Sequence, residues 1–168
     1  MARILCSTGS LIGRPNGRDY RLLEPLSKKL ICDGFEFMMY SDWYDKTDDI
    51  VSLVKDLGLN IPAYHAQKSI GENISKGGPE EMADAFERFR INADMAVRMG
   101  AEKLVIHLWD GITSDQHFDN NIKAYQELSK ISKESGILLL VENVVCNVLD
   151  PWNRWMQLLD IYPEINFV

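Results

Sequence analysis

Apolar and polar positions fall in blocks along the chain, and three blocks share one form. Gly136-Ile-Leu-Leu-Leu-Val-Glu-Asn143 runs through five unbroken apolar residues and stops on Glu142. Gly100-Ala-Glu-Lys-Leu-Val-Ile-His107 and Gly58-Leu-Asn-Ile-Pro-Ala-Tyr-His65 each stop on an imidazole. An unbroken apolar run of this length reads as a strand buried on both faces, as in parallel sheets. Each polar residue lies six or seven positions after a glycine that closes a helix. Three strands are therefore expected to deliver His65, His107 and Glu142 to one end of a sheet, where α/β folds place their chemistry.

The rest of the chain fills in around these blocks. Residues 3–8 read as a first buried strand, followed by a turn-rich stretch over 9–17. A helix with Leu22, Leu23, Leu26, Leu30 and Ile31 on one face is expected to close at Gly34, and 35–40 to form strand two. Thr47 reads as the N-cap of a helix striped by Ile50, Leu53, Val54 and Leu57 that ends at Gly58. After strand three, the composition predicts a polar loop to Gly78. Pro79, Glu80 and Glu81 then open a long helix with the stripe Met82, Phe86, Phe89, Ala93, Ala96 and Val97, stopping at Gly100. Ser114 is the expected cap of a helix striped by Ile122, Tyr125, Leu128 and Ile131 that closes at Gly136. A last helix over 151–161 leads to 165–168, which begins like a sixth strand.

Strand and helix thus alternate strictly, and right-handed crossovers build a parallel sheet with helices outside it. The fold class is α/β, of the (β/α)8 TIM-barrel type, truncated to about five and a half βα units in one partial domain over 1–168. A closed barrel has eight strands and typically about 250 residues, so the 168 residues read as a fragment of a longer polypeptide. Open sheet edges would otherwise be templates for pairing, and they offer a route to a homo-oligomer.

Charge and composition narrow the partners. The formal net charge of −7 argues against general affinity for nucleic acid or anionic membrane. No apolar run approaches the ~18 residues of a membrane span. No signal sequence is apparent at the N-terminus, and the expected compartment is the cytoplasm. Cys6, Cys32 and Cys146 have no metal-ligand spacing and read as small buried hydrophobes in a reduced compartment.

Two histidines and a glutamate aimed at one place suit a divalent ion such as Mn²⁺, Zn²⁺, Mg²⁺ or Co²⁺. Glu142 is the strongest single candidate, because a carboxylate beside Leu138–Val141 is costly unless compensated. Trp43, Tyr44, Tyr64 and Trp109 gather at the same end, where flat rings would stack on a sugar or simply pack under the loops. Lys68 and Asn143 complete the expected substrate contacts, Lys68 toward an anionic or hydroxylated group. His117 reads as solvent-facing, and Cys146 lacks a nearby base. Residues 9–17 carry no phosphate-loop or dinucleotide signature.

Three segments carry a resemblance: Tyr64-His-Ala-Gln-Lys-Ser-Ile-Gly71, the long helix leading into Leu104-Val-Ile-His-Leu-Trp-Asp-Gly111, and Leu140-Val-Glu-Asn143. In these the chain resembles the xylose-isomerase-like barrel superfamily, which holds sugar (phosphate) isomerases and epimerases and the type IV apurinic endonucleases. The resemblance implies a metal-dependent sugar isomerase or epimerase of carbohydrate metabolism. In it Glu142 would bind the metal and move a proton next to a carbonyl, paired with a second glutamate on strand eight. It also implies His65 and His107 as metal ligands or polar substrate contacts. An aspartate after strand six and a histidine after strand seven would complete the metal shell. The alternatives are an endonuclease at abasic DNA sites, which the acidic balance disfavours, and a non-catalytic partial barrel that acts in binding or assembly. One departure lies in strand two, where Met39 falls at a position that is acidic in many relatives and Glu36 stands three residues earlier.

Overall fold

The computed structural model describes residues 3–168; Met1 and Ala2, the start of the segment read for a signal sequence, lie outside the described residues. In chain order the elements are β1 (Leu5–Ser7), α1 (Leu23–Ser27), β2 (Gly34–Met38), α2 (Thr47–Asp56), β3 (Ala63–His65), α3 (Ser69–Lys76), α4 (Pro79–Arg98), β4 (Lys103–Ile106), α5 (Phe118–Ser135), β5 (Leu138–Val141) and α6 (Pro151–Ile161). The five strands form one parallel sheet in sequential order, β1-β2-β3-β4-β5. A sixth strand begins beyond α6, where Phe167 bridges Val141 in parallel and the Val168 amide donates to the Val141 carbonyl at 3.1 Å. This is the α/β, TIM-barrel-type arrangement that the alternation predicts, stopped inside strand six.

Side-chain alternation divides the sheet between two tasks. On the outer face, Phe35, Phe37, Tyr64, Leu104, Ile106, Leu139 and Val141 are buried against the helices and make the core. Register places Met38 beside His65, His65 beside Val105 and Val105 beside Leu140 on the other, inner face. His107 and Glu142 continue this parity just beyond the last residues of β4 and β5. Burying one large outer-face side chain stabilises the fold by roughly 1.5–3 kcal/mol, so the outer face carries most of the stability.

Several sequence expectations change in the structure. Strand one is short and lies at the sheet edge, with Leu5 exposed rather than buried. The helix expected to run to Gly34 ends at Ser27, leaving Leu30 and Ile31 exposed. Gly34 instead opens β2, where a Cβ would lie 2.9 Å from both the side-chain amide and the carbonyl of Asn60. The predicted loop over 66–78 is largely helix α3. Its glycine and serines sit among Ile70 and Ile74, which are buried one turn apart. Val97 is exposed, and Ala85 and Met95 are buried instead. Thr47 is the first residue of α2 and makes no side-chain cap. Ser114 caps nothing: it has φ +44°, and its hydroxyl donates across to the Val145 carbonyl at 3.2 Å, while α5 begins at Phe118. The three cysteines are free and half-buried. No helix among the described residues is long and apolar enough to cross a membrane.

Candidate metal centre

The ends of β3, β4 and β5 bring His65, His107 and Glu142 together. One ligand atom from each lies within 4.8 Å of the others, and no other such cluster occurs among the described residues. Glu142 Oε2 stands 2.7 Å from His65 Nε2 and 2.7 Å from His107 Nε2. Both imidazoles are buried, whereas the glutamate is half-exposed. The far side of each ring is also fixed. His65 Nδ1 lies 2.7 Å from the Ala66 carbonyl, and His107 Nδ1 lies 2.7 Å from Asp110 Oδ2.

Local folding explains this placement. The Ala66 amide donates to the Val105 carbonyl at 2.8 Å and the Glu142 amide to the Ile106 carbonyl at 2.9 Å, so the ladder extends one residue past each strand. Helix α3 packs directly over the end of β4, and a Cβ at Gly71 would meet the His107 carbonyl oxygen. Asn121, buried in α5, donates to the Leu108 carbonyl at 2.8 Å and holds the next peptide. The backbone around His107 is therefore pinned by two helices.

Charges follow from the contacts. The two imidazoles beside Glu142, His107 first, hold its carboxyl well below the usual carboxylate range. Burial by itself would lower the His107 pKa, but Asp110 and Glu142 outweigh it and raise the value above the ordinary one. Burial likewise opposes ionisation of Asp110, and the His107 ring and the Gly111 amide outweigh it, so its pKa is lowered.

The tautomers decide what the cluster can hold. A backbone carbonyl and an ionised carboxylate only accept, so each Nδ1 carries a proton. The Nε2 lone pairs of both rings then converge on a carboxylate oxygen. His107 Nε2 is buried and lacks a hydrogen bond of acceptable direction despite its 2.7 Å approach to Glu142. Three electron-pair donors facing one another repel unless a proton or a metal ion lies between them, and two imidazoles with a carboxylate are a set that could hold a divalent ion. Asp110 was not among the sequence candidates, although its spacing in His107-Leu-Trp-Asp110 was there to be read. Asp110→Asn is expected to weaken metal binding by roughly 10–100-fold with the fold intact. Calorimetric titration with Mn²⁺ measures this, and an unchanged affinity would deny the carboxylate its orienting role.

The remaining site candidates do not join the cluster. Trp43 is 2% exposed and Tyr64 and Trp109 are 0% exposed, so no ring face is open to a sugar. Alternation is the reason for Tyr64, which follows the parity opposite to His65 and enters the core. The two tryptophans brace loops: Trp43 Nε1 donates to the Arg18 carbonyl at 2.8 Å and Trp109 Nε1 to the Val144 carbonyl at 3.3 Å. Asn143 is exposed, and its amide donates to the Val168 carbonyl at 3.1 Å. Lys68 is exposed just past β3, close enough for its charge to favour ionised Asp110. In strand two the inner positions are Glu36 and Met38, while Met39 is buried in the core. His117 is exposed as expected. Burial pushes the Cys146 thiol up to about 11, which makes it a poor nucleophile at neutral pH.

A second polar centre secures the loop after Glu142. Asp115, fully buried, accepts from the amides of Asn147, Val148 and Leu149 at 2.6, 2.9 and 3.0 Å. Arg154 Nε on α6 donates to the same carboxylate at 2.8 Å. Neither residue stood out in the sequence, because their partnership spans distant loops.

Among solved structures, D-allulose 3-epimerase from Methylomonas sp. is similar over 99% of this chain and 62% of its own, at 15% identity and a TM-score of 0.68. An E. coli protein described as 3-keto-D-glucoside 4-epimerase matches over 99% of this chain and 66% of its own, at 12% identity and a TM-score of 0.63. A Thermus thermophilus protein from a crystal soaked with ZnCl2 matches over 88% of this chain and 60% of its own, at 16% identity and a TM-score of 0.64. The chain thus spans about three fifths of the length of such relatives, between 60% and 66% in these three. At these identities the likeness establishes the fold. No curated protein sequence matches the chain. The model of one family, described as xylose isomerase-like TIM barrel, matches residues 26–167, and the chain belongs to that family.

Proposed function

We propose that His65, His107 and Glu142 form the divalent-metal site of a sugar isomerase or epimerase. In this reading Glu142 is one of two carboxylates that move a proton on and off the carbon next to a carbonyl. The convergence of two imidazole lone pairs and a carboxylate on one point is the observation that carries it. The sugar class is supported by family membership and by solved neighbours whose names are those of sugar epimerases.

When bound, the metal would polarise a carbonyl or hydroxyl oxygen of the sugar. The chain's own residues have distinct tasks. Asp110 and the Ala66 carbonyl hold the two rings in the tautomer that exposes Nε2. Glu142 stays ionised at neutral pH, which both ligation and proton abstraction require. Its Oε1 is not engaged by either histidine contact, so one oxygen remains for the second task. Among the described residues it is the cluster's sole carboxylate, so the chain supplies one member of the acid–base pair.

The test is exchange of the proton next to the carbonyl of a ketose, followed by NMR in D2O with the polypeptide as it occurs naturally. Exchange that requires Mn²⁺, Co²⁺, Mg²⁺ or Zn²⁺ and stops with a chelator supports the reading. Failure of all four ions to bind would overturn it. Protons compete with the ion at His107 Nε2, and the raised His107 pKa lets the protonated ring persist to higher pH than usual. Apparent metal affinity is therefore expected to climb steadily between about pH 6 and 8. A flat calorimetric profile over that interval would contradict the ligand assignment.

A further inference from the structure

We propose that Asn92, buried on the long helix α4, is a positioning residue for His65, because it grips the peptide group whose carbonyl fixes the imidazole. The inference rests on the function proposed above, since it concerns how one member of the metal site is aimed.

His65 Nδ1 donates to the Ala66 carbonyl at 2.7 Å. The same peptide group ends in the Gln67 amide, which donates to Asn92 Oδ1 at 3.1 Å and to no backbone carbonyl among the described residues. A peptide group is planar, and in the trans form its N–H and C=O point in opposite directions. Holding one end therefore sets the direction of the other. The Ala66 carbonyl cannot swing away from His65 without pulling the Gln67 amide off Asn92. Hydrogen bonding at the N–H also polarises the carbonyl, which strengthens its hold on the imidazole proton. His107 is held directly by the Asp110 carboxylate. His65 is held at one remove, through a peptide, by a neutral amide.

The surroundings of Asn92 are matched to this task. It is 0% exposed and lies with Phe89, Ala93 and Met95 on the buried side of α4. Asparagine is a poor residue for a helix interior, and its amide is costly to bury unless each polar atom finds a partner. Here each does. Nδ2 donates to the Arg88 carbonyl one turn back at 2.7 Å and to the Tyr44 hydroxyl at 3.0 Å. The Arg88 carbonyl only accepts and the Gln67 amide only donates, so the side chain has one satisfactory orientation. Burial pushes the Tyr44 hydroxyl up to about 12, which keeps it neutral, and the Arg88 guanidinium lies 5.1 Å from the centre of its ring. A further contact docks α3, which continues from this loop, onto the same helix: Asn73 donates to Asp84 at 2.7 Å.

The test places three substitutions at Asn92 in the full chain. Asn92→Leu keeps the volume and removes the acceptor. Asn92→Ser can bond back to the Arg88 carbonyl but is too short for the Gln67 amide. Asn92→Asp keeps an oxygen for that amide. Calorimetry with Mn²⁺ is expected to show affinity roughly ten-fold lower in Asn92→Leu and Asn92→Ser, and within about three-fold of native in Asn92→Asp. NMR of the metal-free protein with labelled histidine gives the local readout. The His65 Nδ1 proton should exchange with water at least about ten-fold faster in Asn92→Leu and Asn92→Ser, while the His107 Nδ1 proton is unchanged. Equal acceleration at both rings, or an Asn92→Asp variant as weak as Asn92→Leu, would assign the effect to packing and overturn the proposal. Asn92→Ser carries the test if Asn92→Leu does not fold. An unchanged His65 exchange rate overturns the proposal with or without metal binding, and so does an unchanged affinity where the native protein binds Mn²⁺. If the native protein binds no metal, the metal reading falls, and faster exchange at His65 alone upholds the positioning role.

Discussion

Glu142→Gln is expected to abolish tight metal binding, lowering affinity by roughly 100-fold or more, beyond the range typical of residues that only orient a ligand. Glutamine keeps the shape of the side chain and removes the charge. Its amide also reverses the polarity at the point where both rings aim. In the native chain, Oε2 faces two Nε2 atoms at 2.7 Å each, so the metal-free site must retain an extra proton. In the variant, one NH2 group offers a hydrogen to each ring, and two neutral histidines are satisfied without metal or proton. The metal-free variant should therefore melt at least as high as the metal-free native protein near pH 8, while the rise in melting temperature on adding Mn²⁺ disappears. Thermal melts with and without the ion read both effects. A variant that still gained stability from Mn²⁺ would remove Glu142 from the metal site.

The second large effect is on stability. Asp115→Ala is expected to destabilise the fold by about 3–5 kcal/mol, the usual consequence of breaking a buried pair and stranding its partner. Three amides of the loop after Glu142 lose their acceptor, and Arg154 is left buried with its charge uncompensated. The same contacts set an acid sensitivity. Burial alone would raise the Asp115 pKa, but the amides and Arg154 bring it down to about 2 from an ordinary 3.8. A lowered folded-state pKa stabilises above the unfolded value, and that stability is lost as pH falls from about 4 to 2. The amount is roughly 2 kcal/mol. Urea unfolding at pH 7 and at pH 2 measures both quantities. Equal pH dependence in the native protein and the variant would mean that another group carries the acid response.

Much of this architecture can be read in the chain, for identifiable reasons. The rhythm of strand and helix survives because glycine closes α2, α4 and α5, at Gly58, Gly100 and Gly136, each with positive φ. His65, His107 and Glu142 were legible because each ends an apolar run, and parallel strands in sequential order bring such ends together. Parity was harder. Tyr64 and His65 are neighbours in sequence but opposite in direction, so proximity along the chain misplaced the aromatic residues that were expected to stack on a sugar. Helix α3 was hidden because Gly71 and Ser75 read as loop formers. Both are buried small residues that let the helix reach the end of β4. Asp115 and Arg154 stand 39 positions apart and serve a loop between them, and no local pattern marks such a pair.

The split between the two sheet faces has an evolutionary corollary. Outer-face positions are tied to the helices, so most changes there endanger folding. Inner-face positions such as Met38 and Ala63 flank the histidine–glutamate cluster and contribute little to helix packing. Selection can therefore rewrite which small molecule is accepted while leaving the scaffold nearly untouched. The solved neighbours share this backbone at 12–18% identity. A mutant library confined to the inner face should then yield folded proteins with altered ligand preference far more often than one of equal size spread over the whole sheet.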